Sequence, residues 1–472
     1  MASMTEELER AQATHDAILR LVCALPDPPH LGGSKCQPVD YSCLRALASP
    51  HASSRALLSD VQSGWSDCKK AFQEDNPDEV AGACGELRPK LERLACAAHK
   101  AARSDLEDHL TGNATCAWAS VLENDAKAVW ISGGSGGHRG VSKRDRCIES
   151  VALDVIAVTA REAKALEKSA RHLATKPGYP PIGDCKRACA KLRKAAGLWE
   201  SLSHAGDRTP IALLDALPEN CGMTFEKRPP EATRACCAGA ALLASASAQR
   251  CAIASALAQN KLPDSLAAKL CGGVAEKLEA ARNASRDGAP KHHARLDRAA
   301  ANSAAADANL FRGLRAYFCA REAKAKEEHG VCVAWYRDAE ARLAPAIVST
   351  SGAGADRPRD LDALKKALQV ARAAADHENS RIYYETVPAP KELRAPPAVK
   401  TMGPEAPLCL IADAEPVPLS APTADDEALA RQLAASFEED GSGPPPPAYE
   451  AAPPAALSDE ELARRLHEEL NG

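Results

Sequence analysis

Apolar and polar residues alternate along most of this chain in runs that suit helices, with Pro, Gly and polar clusters between them. Helices are predicted over Thr5–Leu25, Asp40–Leu58, Pro77–Leu110, Asp145–Leu173, Cys185–Leu202, Ala299–Glu328, Val331–Leu343 and Asp360–Asn379. The most telling stretch is Glu231–Asn283. It reads as two long helices joined at Lys261-Leu262-Pro263-Asp264. From Ala232 to Gln259 there is no Pro and one Gly, and Ala, Leu and Ser fill most positions. Ala and Leu are strong helix formers. Small apolar residues fall on nearly every face, so this helix should be buried on several sides. Pro263 suits the first turn of the next helix, and Asp264 favours a helix start. On that second helix Leu266 and Leu270 stand four apart and share a face. Between the helical runs, Val129–Arg139 with its GGSGG cluster lacks the spacing and the Lys of a phosphate loop, and reads as a flexible surface loop.

After Asn379 the pattern changes twice. Residues 379–407 are Pro-rich, cannot continue a helix, and should form an extended strap across a surface. From 408 to 472, Pro and acidic residues dominate and disorder is expected. Two near-copies interrupt this tail, Asp426-Glu-Ala-Leu-Ala-Arg-Gln-Leu433 and Asp459-Glu-Glu-Leu-Ala-Arg-Arg-Leu466, predicting short helices near 424–438 and 458–470. Each has an Ala between leucines. They look like inverted ubiquitin-interacting motifs, in which a small residue allows close approach to an apolar patch. Ala430 and Ala463 would be central, Leu429, Leu433, Leu462 and Leu466 would flank them, and Asp426 and Asp459 would favour the helix starts. Two weak sites in one tail gain from avidity. Between them Pro446-Pro447-Ala448-Tyr449 fits the PPxY ligand of WW domains, with Pro446, Pro447 and Tyr449 as the contacts, because polyproline geometry is already populated there.

Composition narrows the function classes. Aromatics are 4% of 472 residues, so the core must be built from Ala, Leu and Val. Residues 401–472 carry fifteen Asp or Glu against three Arg, a net of −12 in a chain whose total is −5. The first 400 residues are therefore mildly basic, which is compatible with an acidic partner helix or a peripheral membrane contact. No basic patch interleaved with aromatics points to nucleic acid. Eighteen Cys sit inside helical patterns as small hydrophobes do, and the start MASMTEELERAQ lacks an apolar signal segment, so a reducing cytoplasm is the expected setting. No run looks long and apolar enough to cross a bilayer. Cys185 and Cys189 share a face, and His292 and His293 are adjacent, but there is no CxxC pair and no HExxH. No catalytic residue, metal site or cofactor is assigned.

Three segments resemble the Bro domain family of Alix, the yeast Bro protein and the short Brox-type proteins. They are Asn379-Ser-Arg-Ile-Tyr-Tyr-Glu-Thr-Val-Pro388 followed by Lys391-Glu392-Leu393, Lys194-Ala-Ala-Gly-Leu-Trp199, and the helix pair carrying Ala248-Gln249 and Asp264-Ser-Leu-Ala-Ala-Lys-Leu270. The match runs in order over about 115–407; residues 1–114 carry no diagnostic residue. The resemblance implies a mainly α fold, a curved, tetratricopeptide-like helical solenoid over 1–407, followed by the tail. It implies a non-enzymatic adaptor of the endosomal sorting pathway, cytoplasmic and peripheral on endosomal membranes. Such an adaptor binds the C-terminal helix of a Snf-type ESCRT-III subunit, with ubiquitin or ubiquitylated cargo and a WW-domain ubiquitin ligase as tail partners. Carried over by position, the ESCRT-III contact falls on Leu266 and Leu270, with Ile253 as a neighbour and Lys269 facing acidic partner residues. A partner helix needs apolar side chains at i and i+4, exposed on a rigid helix. The strap positions are Asn379, Ile382, Tyr383, Val387 and Pro388, with Tyr383 packed against the domain. A Bro-domain scaffold in signalling or pH sensing, and a generic helical-repeat binding module, are the alternatives.

Overall fold

The computed structural model describes residues 4–25, 41–44, 48, 51–101, 116–123, 129–132, 142–175, 182–206, 209–218, 225–348, 356–400 and 402–404. The helices are α1 (Met4–Cys23), α2 (Ala52–Glu74), α3 (Pro77–Lys100), α4 (Lys143–Ala174), α5 (Ile182–Ser203), α6 (Pro210–Asp215), α7 (Arg234–Ala258), α8 (Asp264–Gly288), α9 (Pro290–His293), α10 (Arg298–Ala325), α11 (His329–Val348) and α12 (Asp356–Glu378). The long helices pack in a row, α2 on α3, α3 on α4, α4 on α5, α5 on α7, then α8, α10, α11 and α12. This is the expected helical solenoid. The N-terminal helix crosses the order, packing on both α12 and α7.

Local chemistry sets the ends. Asn76 caps α3 by accepting from Asp78 N at 3.1 Å, with Pro77 in the first turn. Ser142 caps α4 by accepting from Asp145 N at 3.0 Å. Helix α7 ends where Asn260 takes a left-handed φ of 52°, a conformation Asn tolerates. Pro263 then stands just before α8 rather than inside it.

Helix α7 is the central element. Nearly all of it is buried between α5 and α8. Small residues make this possible: a Cβ at Gly239 would lie 2.9 Å from the Ala281 carbonyl oxygen of α8. By length and composition α7 is apolar enough to cross a membrane, contrary to the expectation that no run is. Most of that apolar window is buried inside the protein. The core divides into one cluster over α2–α7 around Trp199, another over α7–α12 around Phe311 and a small third one around Met402. Among the described residues thirteen cysteines are free and buried within these clusters.

A second difference lies at Val129–Ser132. Cys116–Ala119 pairs with it antiparallel, with Trp118 opposite Trp130, so the expected loop begins as a strand. The β-branched and aromatic run Val129-Trp130-Ile131 suits a pleated surface. The GGSGG segment lies outside the described residues.

Candidate functional site

The strap is built first by Asn379. Its side-chain amide accepts from Glu385 N at 3.0 Å and donates to Glu385 O at 2.9 Å, closing the turn after α12. Glu385 then accepts from Gly330 N at 2.6 Å, which joins that turn to the start of α11. Tyr383 stacks on the His329 ring, with centroids 3.4 Å apart, and is about half exposed. Ile382 and Tyr384 point outward, while Val387 and Pro388 are half-buried and Val387 packs on the second core.

Beyond Pro388 the strap crosses α10, α8, α7 and α5 in turn. Arg315 of α10 donates to the Pro396 carbonyl. Val399 N donates to Lys269 O of α8 at 3.1 Å, and Gln249 Nε2 of α7 donates to Val399 O at 2.9 Å. Ser245 Oγ and Lys277 Nζ both donate to Met402 O at 2.6 Å. Arg193 Nε of α5 donates to Gly403 O at 3.2 Å. Met402 itself is fully buried in a pocket of small residues, among them Ala174, Ala188, Cys189, Ala248 and Ala252.

Two adjacent glycines in α8 make this crossing possible. A Cβ at Gly273 would run into the Val399 carbonyl and lie 2.6 Å from Gln249 Nε2. A Cβ at Gly272 would lie 3.1 Å from the Arg315 guanidinium. Two glycines inside one helix cost about 1 kcal/mol each relative to Ala, so the helix gives up stability for close approach. Burial pushes the Lys277 ammonium down to about 8, and the charge of Lys400 adds to that. The same burial raises the neighbouring Cys189 thiol to about 11.

The positions carried over by resemblance need correction here. Leu266 is 1% exposed, and Leu270 and Ile253 are fully buried. All three belong to the second core cluster. The reason is geometric: α8 lies between α7 and α10, and the strap covers its Lys269–Gly273 turn. The exposed i, i+4 pair that a partner helix requires is therefore absent in this arrangement. Lys269 is half-buried, and its carbonyl holds the strap. The motifs of the tail, Asp426–Leu433, Asp459–Leu466 and Pro446–Tyr449, lie outside the described residues. Cys185 and Cys189 lie in two different apolar clusters. His292 Nε2 bonds to Phe225 O at 3.0 Å, and His293 Nδ1 to Ser285 Oγ at 2.9 Å. Among the described residues no group of three or more His, Cys, Asp or Glu could hold a metal ion.

Residues missed by sequence reasoning are those that hold the strap: Ser245, Gln249, Lys277, Arg315 and Met402. The readable signal was Gly272-Gly273 within a helix, which marks close backbone approach.

Comparison with known proteins agrees with this fold. Three solved structures match with a TM-score of 0.53. The ALIX BRO1 domain in complex with CHMP4C is 13% identical, over 82% of this chain and 96% of that one. A structure described as the basis for endosomal targeting by the Bro1 domain is 14% identical, over 87% and 98%. ALIX in complex with the SIVmac239 PYKEVTEDL late domain is 16% identical, over 86% and 52%. No curated protein matches the sequence. The model of the BRO1-like domain, a protein-interaction module, matches residues 181–426, from α5 through the strap and into the tail, and the chain belongs to that family.

Proposed function

We propose that this chain is an adaptor of the endosomal sorting pathway, acting by tethering and not by catalysis. Its body binds the C-terminal helix of a Snf-type ESCRT-III subunit. Its tail binds ubiquitin or ubiquitylated cargo and a WW-domain ubiquitin ligase, and it works at the cytoplasmic face of endosomes. The observation that carries the reading is the BRO1-like family match over residues 181–426. The ALIX BRO1 domain, which shares the fold, is seen with CHMP4C. In this reading the partner helix lies on the α7/α8 face, with Lys269 at its edge. Several weak sites on one chain raise the local concentration of each partner.

The tail is tested by titrating the full chain with labelled ubiquitin, wild type against Ala430→Gln/Ala463→Gln. Binding by wild type and its loss in the double variant is expected. No change in the ubiquitin spectrum with wild type removes the ubiquitin claim. A pull-down with a WW-domain array, wild type against Tyr449→Ala, tests the PPxY segment in the same way.

A further inference from the structure

We infer that the strap residues 394–400 and 402–403 form a displaceable lid on the α7/α8 face, and that the partner helix binds tightly only when they have left. The inference rests on the reading above, that this face receives a partner helix, and adds how access to it is controlled.

Three observations carry it. The first is position: the strap lies over the Lys269–Gly273 turn of α8, which includes Leu270. The second is how little of the strap is anchored. Between 393 and 404 Met402 is the one fully buried side chain among the described residues; the others are half-buried or exposed. The body holds the segment mainly by its main chain, at Pro396 O, Val399 N, Val399 O, Met402 O and Gly403 O. Such contacts do not depend on strap side chains, and water can replace them on release. The ion pair of Lys400 with Glu276, 3.2 Å, is about half exposed and adds little.

The third is Lys277. Its ammonium is buried beneath the strap and meets Ser245 Oγ at 3.0 Å and Met402 O at 2.6 Å. A buried ammonium is costly unless it is fully paired. Release of Met402 would return it to water, which favours the open state. The strap is thus held by one apolar anchor pocket and a row of donors, and the buried charge of Lys277 works against that hold. A first ligand that must be displaced lowers the apparent affinity of a second by the closed-to-open ratio.

The test uses the full chain and two opening variants. Gly273→Ala puts a methyl group where the Val399 carbonyl sits, and Met402→Lys puts in the apolar pocket a charge of the same sign as the neighbouring Lys277. Hydrogen exchange of 394–403 reports release of the strap. A fluorescent peptide carrying the C-terminal helix of CHMP4C reports binding. Both variants should exchange faster in the strap, keep protection in α7 and α8, and bind the peptide at least tenfold more tightly than wild type. Lys269→Glu added to Met402→Lys should reverse the gain while α7 and α8 keep their protection. Faster strap exchange with unchanged peptide affinity overturns the lid and leaves the partner reading standing. Unchanged strap exchange in both variants overturns the roles given to Gly273 and Met402. Binding by neither wild type nor variants ends the partner reading, and the lid falls with it.

Discussion

Removing Arg250 should cost this protein more than any single surface charge. Its guanidinium, 1% exposed, pairs with Asp307 Oδ2 at 2.6 Å and lies over the Phe311 ring, 5.2 Å from its centroid. It also donates to Leu21 O at 3.2 Å, Val22 O at 3.1 Å and Ala24 O. Those carbonyls are at the end of α1, where a helix leaves its last acceptors unpaired. Asp307 in turn pairs with Arg357 of α12. One side chain of α7 therefore ties α1 to α10 and, through Asp307, to α12. Breaking a buried pair by removing one partner costs about 3–5 kcal/mol. The stranded carbonyls add to this, so Arg250→Leu should lose about 4 kcal/mol or more. Asp307→Leu should lose about 3–5 kcal/mol, because it leaves two buried guanidinium groups facing each other. The double variant should lose about 2 kcal/mol less than the sum, because it removes Arg250 and Asp307 together and leaves Arg357 alone without its partner. Urea midpoints of the four proteins measure the cycle, and hydrogen exchange of α1 reports whether that helix detaches. Additive losses within about 0.5 kcal/mol, or unchanged exchange in α1, would refute the argument.

Two further outcomes follow from the strap and its anchors. The Lys277 ammonium titrates near 8 in the folded chain against 10.5 for a free lysine. The folded state thus carries a penalty below pH 8 that disappears as pH rises toward 10.5. Wild type should gain about 2 kcal/mol on Lys277→Met between pH 7.5 and 9.5, read as the difference of the two urea midpoints; a flat difference contradicts the buried ammonium. Taking the difference cancels most of the opposite trend from thiols such as Cys189, which burial raises and which therefore lose stability above pH 9. Asn379→Ala removes both hydrogen bonds to Glu385, worth about 1–2 kcal/mol together, and should speed proteolytic cleavage within 381–387; equal cleavage rates would show that the turn is held by other contacts.

How much of this could be read in advance depended on whether the signal was local. The start at Pro77 was legible in the sequence, whereas the next long helix was read from Asp145 and begins at Lys143, after the Ser142 cap. The Ala-rich composition of α7 announced a helix buried on several sides, as it is. Helix α2 was misplaced because the sequence around Asp40–Leu58 has apolar residues without a clear start, whereas the helix begins at Ala52 after an uncapped His51. The strand at Val129–Ser132 was missed because its pairing partner lies ten or more residues away, and its Gly-rich neighbour suggested a loop.

The site shows the same limit more sharply. Leu266 and Leu270 have the spacing of a partner-binding face, and that spacing is equally the spacing of a core face. Nothing within α8 distinguishes the two, because the deciding neighbours lie on α7 and α10, elsewhere in the chain. What α8 does record is Gly272-Gly273. In an exposed helix a pair of glycines weakens the helix for no gain, while under a crossing segment it lets that segment's carbonyl approach the helix backbone. The glycine pair is the seat of the strap, and under the lid proposal the same residues that let the strap dock are those a partner helix would meet once the strap has gone. A larger side chain at 273 would strengthen α8 and weaken its closure. The absence of one is what a face built to be covered requires.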